Sequence, residues 1–349
     1  MATGASFISK ACRTSFRILL RVPSSRTMNP AIVFMWPVMM WEKQIQFVPN
    51  REAKRKERVT NTNRYYLVDE IRCTWYLKPN TILERDGIVY ETNSFGLRDV
   101  EFPLIKSPNT LRIVCLGDSV TYGQGVRFEE TYEQQLEKKL KIQGIDARVI
   151  NAGIGAHRTW QGLERLEKDV IRFSPDMVVI SFGLNDGALS SETLWEEWKT
   201  NLGHQESNLK KQQSEDSRST RPGKRQEDLI PSIPIGEYKE HLRALITLLQ
   251  KRIQAHVYLM TFNPISDDYQ RSKWIPELRM RQELVYAQYR DEMLEVGQEM
   301  GLKTVDVYPR FEKSKKSFLE SDGIHPNPNG MAVYAKELYK RIIKDLGVR

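Results

Sequence analysis

A serine, an aspartate and a histidine stand in two short segments of the sequence whose surroundings suit nucleophilic catalysis. Ser119 follows a Gly-Asp turn that comes directly after the apolar run 113–116, and Asp322 precedes His325 by three positions near the end of the chain. A buried strand that ends in such a turn presents a hydroxyl at the carboxyl edge of a sheet. A histidine can remove the proton of that hydroxyl while an aspartate orients the imidazole. We predict that Ser119 is a nucleophile, His325 its base and Asp322 the orienting carboxylate.

Two further polar segments could supply hydrogen-bond donors to the same reaction. Attack of a hydroxyl on an acyl carbon creates an oxyanion that needs preorganised donors. The side-chain amide of Asn185, in the segment Gly183-Leu184-Asn185-Asp186, is one candidate, and the backbone N–H groups near Ser119 and Ala156 are others. We predict an oxyanion hole formed by Ser119, Ala156 and Asn185, with Asp186 stabilising its loop.

Alternation of short apolar strands with segments of helical period predicts a parallel sheet with helices on its faces. Reacting groups in such a sheet gather where the strands end at their carboxyl edge. The predicted strands are Leu111 to Leu116, Ala147 to Asn151, Met177 to Phe182, His256 to Phe262 and Lys303 to Val307. The predicted helices carry the stripes Tyr132, Leu136, Leu140; Trp160, Leu163, Leu166, Val170; and Tyr238, Leu242, Leu245, Leu249, Ile253.

The sequence predicts three regions. Residues 1–60 form a basic arm, residues 61–109 a small β-rich extension with turn signals, and residues 110–349 the α/β domain. Within the last region, residues 204–228 are almost wholly polar, with Leu209 as their only aliphatic side chain. Such a segment buries too little apolar surface to offset the entropy of ordering it, so we predict a flexible insertion.

Charge argues against nucleic acid as a partner. The chain of 349 residues has a net charge of +8, and residues 1–60 hold all of that excess, with eleven Lys and Arg against three Glu. The remaining residues are neutral overall, which gives no basic binding face on the folded body. The composition of the arm is typical of a targeting or membrane-surface segment, or of a disordered tail. Its apolar patches are too short for a membrane span. Localisation therefore stays open between cytoplasmic and exported or cell-envelope, and the oligomeric state stays open too.

Cysteines and histidines give no sign of a metal centre or a disulfide framework. Cys12, Cys73 and Cys115 are odd in number and widely spaced. The histidines other than His325 lack a second His or Cys at ligand spacing. We expect neither a metal nor a cofactor.

These motifs, taken together, resemble the SGNH or GDSL-type hydrolases, a family of esterases, lipases, acylhydrolases and thioesterases. Ser119 matches the family's nucleophile, Asn185 its oxyanion asparagine, and Asp322 and His325 the remaining catalytic pair. The resemblance implies a three-layer, flavodoxin-like α/β fold with a five-stranded parallel sheet, and it covers roughly residues 110–345. Asn93 to Arg98 also look like part of the N-terminal extension of bacterial members.

The second family block departs from the pattern. The position of the family's oxyanion glycine falls at Ala156, with Gly155 one position early, so the second backbone donor could come from Gly153, Gly155 or Ala156. Alanine can serve because the donor is a backbone N–H, provided that its backbone angles are allowed.

The sequence favours hydrolysis of an ester through an acyl-enzyme on Ser119, with a small-molecule, carbohydrate or lipid ester as substrate. The polar insertion differs from the apolar lid of a triglyceride lipase, so we expect a short-acyl or O-acetyl carbohydrate ester. A noncatalytic carbohydrate- or partner-binding protein is the alternative, supported by the departure at Ala156, and a metal phosphodiesterase is a third hypothesis. In the simplest structural reading, Ser119 only caps the following helix.

Overall fold

The computed structural model of the chain describes residues 56–59, 64–69, 74–190, 229–267, 269 and 276–348. The predicted insertion at 204–228 and residues 1–55 of the predicted arm lie outside these ranges. Within them, no helix has the length and apolar character needed to cross a membrane.

Twelve strands in the described ranges follow the apolar and β-branched stretches of the sequence. In chain order they are β1 (Glu57–Val59), β2 (Tyr66–Asp69), β3 (Thr74–Leu77), β4 (Thr81–Arg85), β5 (Ile88–Glu91), β6 (Leu111–Gly117), β7 (Ala147–Gly153), β8 (Met177–Ser181), β9 (Leu189–Ser190), β10 (Ile230–Pro231), β11 (His256–Met260) and β12 (Lys303–Val305).

The α-helices of the described ranges range from single turns to six turns. They are α1 (Ser119–Tyr122), α2 (Tyr132–Ile142), α3 (Thr159–Glu164), α4 (Leu166–Asp169), α5 (Ile235–Arg252), α6 (Pro276–Glu299), α7 (Tyr308–Glu312), α8 (Lys315–Phe318) and α9 (Pro328–Leu346).

The central sheet has five parallel strands in the order β7-β6-β8-β11-β12. This is the flavodoxin-like order, in which the first strand along the chain lies inside the sheet and the second at its edge. Helices α2 and α9 pack together on one side of the sheet, and α3, α5 and α6 form the layer on the other side. The predicted three-layer fold and each of its five predicted strands are confirmed.

One predicted helix is broken in the middle. The stripe Trp160, Leu163, Leu166 and Val170 predicted a continuous helix, but α3 ends at Glu164 and α4 begins at Leu166. Arg165 lies between them and its side chain is fully buried. Its guanidinium binds the carbonyls of Gly117 and Ala152 at the ends of β6 and β7, contacts that the apolar period alone does not predict.

A small β-rich extension precedes the central sheet, as predicted. Strands β1, β4 and β5 form one sheet and β2 and β3 form another. Their buried side chains form a separate apolar cluster, which we call the extension core. It contains Val59, Tyr65, Trp75, Leu77, Leu83 and Tyr90, together with Tyr122 and Ile154 from the α/β domain.

The extension therefore rests on the segments that follow β6 and β7. Tyr122 is the last residue of α1, and Ile154 follows β7 directly. The borders predicted at residues 61 and 110 remain predictions, since this packing joins the two regions.

Candidate active site

Ser119 lies at the carboxyl end of β6, as the first residue of the single-turn helix α1. Asp118 is the residue that caps this helix, because its carboxylate accepts the N–H of Val120 at 2.9 Å. The Ser119 hydroxyl is thus not used as the cap. The serine side chain is only 7% exposed and lies beside the histidine predicted to be its base.

Gly117 allows the turn into α1 to be tight. A Cβ at this position would lie 2.0 Å from Oγ1 of Thr121 and 2.7 Å from the carbonyl oxygen of Ser181. Any larger residue would push α1 away from the end of the neighbouring strand β8. Glycine here fixes where Ser119 stands relative to the sheet edge.

The structure brings Ser119, His325 and Asp322 into one line of hydrogen bonds. Nε2 of His325 lies 2.9 Å from Oγ of Ser119, and Nδ1 of the same ring lies 2.5 Å from Oδ2 of Asp322. Asp322 Oδ1 also accepts the backbone N–H groups of Ile324 and His325, each at 3.0 Å. Oδ2 can therefore hold Nδ1–H and leave Nε2 as the acceptor that faces the serine.

The electrostatics of Asp322 suit this orienting part. Burial alone would raise the pKa of the carboxyl group, but the hydrogen bonds and positive charge of His325 outweigh burial, so the pKa lies below its ordinary value. Asp322 is therefore ionised at neutral pH. An ionised carboxylate stabilises the imidazolium that forms when His325 takes a proton.

The segment that carries the histidine, Glu320 to His325, is anchored through its backbone; we call it the catalytic loop. Its carbonyl groups at Gly323 and Ile324 accept, respectively, the N–H of Ser266 and the Asn263 side-chain amide, both at 2.8 Å. Gly323 has φ +72°, a left-handed conformation that glycine adopts without a steric cost.

Asn185 follows β8 and points to the neighbouring loops. Its Nδ2 donates to the carbonyl of His157 at 3.1 Å and lies 3.4 Å from Oδ2 of Asp118. The amide therefore lies between the turn that carries Ser119 and the loop after β7.

Ala156 adopts φ +60°, so the residue at the family's glycine position takes the backbone conformation that favours glycine. The preceding carbonyl, of Gly155, accepts the indole N–H of Trp75 at 3.2 Å. Because C=O and N–H point in opposite directions across a trans peptide, the N–H of Ala156 faces away from Trp75. In the described part of the chain this N–H has no acceptor.

Two buried carboxyl groups lie next to these donors. Burial raises the pKa of Asp118 to about 7 and that of Asp186 to about 6. Asp186 accepts both the N–H and the hydroxyl of Thr159, at 3.0 and 2.6 Å, and so ties the loop after β8 to the start of α3. These two hydrogen bonds are a physical basis for the predicted role of Asp186 in stabilising its loop.

Sequence reasoning missed the residues that support the site from below and from the side. Arg98 and Arg165 are fully buried and bind backbone carbonyls around the Ser119 turn. Trp75 holds the loop after β7 by two hydrogen bonds: its indole N–H donates to the Gly155 carbonyl at 3.2 Å, and its own carbonyl accepts from Nε2 of His157 at 2.9 Å. The sequence carried no signal for them, since Arg165 falls on the helical face opposite the apolar stripe of the predicted helix at Trp160 to Val170.

Among the described residues, no group of three or more His, Cys, Asp or Glu side chains is arranged to hold a metal ion. Cys115, the cysteine in these ranges, is a free thiol buried within β6.

Comparison with known proteins gives a family match over most of the α/β domain. The GDSL-like lipase/acylhydrolase family model matches residues 115–333. An arylesterase of Vibrio mimicus is 36% identical over 76 residues, which are 22% of this chain and 38% of that protein. Esterase TesA of Pseudomonas aeruginosa is 35% identical over 75 residues, 22% of this chain and 37% of that protein. The chain thus spans less than two-fifths of the length of these curated relatives.

Solved structures with a similar chain path include the acetylxylan esterase Axe2 of Geobacillus stearothermophilus. It is 21% identical with a TM-score of 0.45, and the match covers 66% of this chain and 93% of that one. The lipase/acylhydrolase of Enterococcus faecalis is 24% identical with a TM-score of 0.44, over 66% of this chain and 94% of that one.

Proposed function

We propose that this chain, which belongs to the GDSL-like lipase/acylhydrolase family, hydrolyses a carboxylic ester through an acyl-enzyme intermediate on Ser119. The observation that carries the proposal is the continuous line of hydrogen bonds from Asp322 through His325 to the Ser119 hydroxyl. Ser119 and His325 come from opposite ends of the α/β domain. A serine and a histidine with purely structural roles would not need to be hydrogen-bonded to each other.

In the first half of the reaction, Nε2 of His325 takes the proton of the Ser119 hydroxyl as Oγ attacks the ester carbonyl carbon. The tetrahedral intermediate collapses when the imidazolium gives this proton to the departing alcohol oxygen. Asp322 holds the ring so that Nε2 faces the serine, and its charge stabilises the imidazolium.

In the second half, His325 takes a proton from water and the resulting hydroxide oxygen attacks the acyl carbon. The bond to Oγ then breaks, and the imidazolium returns the proton to Ser119. The products are a carboxylic acid and an alcohol, and the enzyme regains its first state without a cofactor.

The oxyanion of each tetrahedral intermediate would be bound by the amide of Asn185 and the backbone N–H groups of Ser119 and Ala156. The first N–H groups of a helix have no intrahelical acceptor, which leaves that of Ser119 open to a ligand. The position of Asn185 beside the Ser119 turn and the direction of the peptide before Ala156 support this set. Each donor of this kind contributes about 3 kcal/mol to transition-state stabilisation.

Polar side chains beside the loop after β7, which carries Ala156, favour a polar alcohol in the substrate. Oη of Tyr66 and Oε1 of Gln124 lie 3.7 and 3.8 Å from the point where a Cβ of Gly155 would stand. A hydroxyl and an amide are groups that can bind the hydroxyl groups of a sugar. A short-acyl or O-acetyl carbohydrate ester is therefore the substrate class that we propose.

The test uses wild type and Ser119→Ala on p-nitrophenyl acetate and p-nitrophenyl octanoate. We expect wild type to prefer the acetate and Ser119→Ala to lose at least about 10⁴-fold in kcat, as removal of a triad nucleophile does. Ser181→Ala is the matched control, because Ser181 is a buried serine at the end of the adjacent strand.

Full activity of Ser119→Ala would reject the nucleophile, and a preference of wild type for the octanoate would reject the short-acyl substrate. Failure of a fluorophosphonate probe to label folded wild type would instead favour the alternative, a binding protein without catalysis.

A further inference from the structure

We infer that Arg98 and Arg165 are positioning residues that hold the Ser119 turn from its two ends, and this inference rests on the proposed function. Neither residue touches the reacting atoms. Both act on Ser119 through backbone carbonyls that flank it in the chain.

Arg165 holds the side of the turn that precedes the serine. Its Nη2 donates to the carbonyl of Gly117 at 2.7 Å, and its Nη1 donates to the carbonyl of Ala152 at 2.6 Å. Gly117 is the last residue of β6, and Ala152 is the last but one of the adjacent strand β7. One guanidinium therefore fixes the separation of the two strand ends from which the Ser119 turn and the loop of Ala156 depart.

Arg98 holds the side that follows the serine. Its Nη1 donates to the carbonyls of Tyr122 and Gly123 at 2.9 and 2.5 Å, and its Nη2 donates to that of Val126 at 2.8 Å. Tyr122 and Gly123 are the last residue and the C-cap of α1, whose first residue is Ser119. The carbonyls at the end of a helix lack intrahelical donors, and Arg98 supplies them.

The surroundings of Arg98 are unusual for a buried charge. The side chain is fully buried, yet within the described residues it forms no ion pair with a carboxylate. Its guanidinium lies over the rings of Tyr90 and Tyr122, 4.4 and 5.2 Å from their centroids. Burying a charge is costly unless the charged group is hydrogen-bonded, and the backbone carbonyls of Tyr122, Gly123 and Val126 provide those bonds here. What the charge supplies is a rigid fork of donors aimed at three carbonyls.

The consequence for catalysis is geometric. Because α1 is one turn long, it has few backbone hydrogen bonds of its own, and a small tilt at either end would move Oγ of Ser119 relative to Nε2 of His325. These atoms are 2.9 Å apart, which leaves little room for displacement. A shift of about 1 Å can lower a rate about 100-fold.

Arg112, in the strand β6 that precedes Ser119, offers a matched control. It is also buried, and its guanidinium binds three backbone carbonyls, those of Pro103, Leu104 and Phe173, at 2.8 to 2.9 Å. It lies near the amino end of β6, five residues before Gly117 and thus about 16 Å from the Ser119 turn. It shares the chemistry of the two positioning residues but not their place.

The experiment compares kcat and KM of wild type, Arg98→Lys, Arg165→Lys and Arg112→Lys on p-nitrophenyl acetate. All four are measured below their thermal transitions, with the folded fraction determined by circular dichroism. Lysine keeps the charge but cannot bind two or three carbonyls in fixed geometry. We expect kcat to fall about 10- to 100-fold for Arg98→Lys and Arg165→Lys with KM nearly unchanged. Arg112→Lys should lower the melting temperature and leave kcat close to wild type.

A uniform loss of kcat in all three variants, or no loss in Arg98→Lys and Arg165→Lys, would overturn the inference. If Arg98→Lys does not fold, Tyr90→Leu replaces it, because this change removes the ring stacked on the Arg98 guanidinium while leaving the guanidinium in place. Its kcat should fall in the same manner, and an unchanged kcat in folded Tyr90→Leu would count against Arg98. Wild type that neither turns over esters nor reacts with a fluorophosphonate would reject the proposed function itself, whereas active wild type with fully active arginine variants would reject this inference alone.

Discussion

The two sides of the candidate active site are built differently. Ser119 stands on a buried turn whose carbonyls are bound by two buried arginines, and the residues around it belong to the central sheet and the extension core. His325 and Asp322 stand on the catalytic loop near the surface, where the Asp322 side chain is 46% exposed. The first region draws its shape from many distant parts of the chain, and the second draws much of its shape from hydrogen bonds within one short loop.

Because of this difference, we expect substitutions in the two regions to affect stability and reaction rate differently. A change near Ser119 disturbs buried charges and close backbone packing, so it should affect both stability and rate. A change in the catalytic loop can remove a chemical group while the fold remains. The catalytic loop is therefore the cleaner place to test the chemistry, and the Ser119 region is the place where sequence changes are most constrained.

The largest expected effect tests the exposed side of this comparison. In Asp322→Asn, the side-chain amide would present hydrogens to Nδ1 of His325 and favour the tautomer in which Nε2 carries the proton. We expect kcat on p-nitrophenyl acetate to fall about 10²- to 10⁴-fold, with the melting temperature nearly unchanged.

Glu320→Gln is the control for Asp322→Asn, because Glu320 belongs to the same loop and also carries a carboxyl group. It should keep kcat close to wild type. A large loss of stability in Asp322→Asn would contradict the contrast between the two regions.

A second, smaller effect concerns pH and the buried side. Burial raises the pKa of Asp186 to about 6, above its unfolded value near 4. The native state thus favours the protonated form, and the stability this gives is present below pH 4 and is lost as pH rises through 6. The loss approaches about 1.4 kcal/mol per pH unit in that window.

Asp186→Asn should remove this dependence, because a neutral amide oxygen can still accept the two hydrogen bonds from Thr159. The measurement is urea unfolding of wild type and variant at pH 4, 5, 6 and 7. The free energy of unfolding of wild type minus that of Asp186→Asn should decrease with rising pH. A pH-independent difference for Asp186→Asn would show that its carboxyl group is not perturbed.

The smallest effect is expected at Ala156. Its left-handed backbone costs an L-residue about 1–2 kcal/mol, part of which glycine would lose again through its greater freedom in the unfolded chain. We expect Ala156→Gly to raise the free energy of unfolding by about 0.5–1 kcal/mol and to leave kcat within a few-fold of wild type. Denaturant unfolding and the ester assay check both parts. Loss of stability on this change would mean that the loop after β7 depends on the alanine methyl group.

Much of the fold and the pairing of Ser119 with His325 could be predicted because both follow from local patterns. Each strand of the central sheet is a short apolar run, and parallel strands bring their carboxyl ends to one edge whatever their distance in sequence. The rule that places reacting groups at that edge is enough to connect Ser119, Asn185 and the catalytic loop.

The supporting residues could not be predicted because their partners are backbone atoms far away in the chain. Arg98 binds carbonyls 24 to 28 residues further on, and Arg165 binds one 48 residues earlier. In a sequence, arginine is most simply a surface residue, and nothing local shows that these two are buried. The helix break at Arg165 and the positive φ angle of Ala156 could not be predicted for the same reason, because both depend on contacts with distant parts of the folded chain.

The packing of the extension core has a practical meaning for anyone who shortens this gene. The family match covers residues 115–333, and a recombinant fragment that starts at Cys115 would retain every group proposed to react. The fragment would also lack Trp75, which binds the loop after β7, and Arg98, which binds the end of α1. The side chains of Tyr122 and Ile154 that pack in the extension core would become exposed. The first matched residue therefore lies within a packed unit, because the extension core joins residues on both sides of it, and the family match alone is a poor guide to where this chain can be shortened.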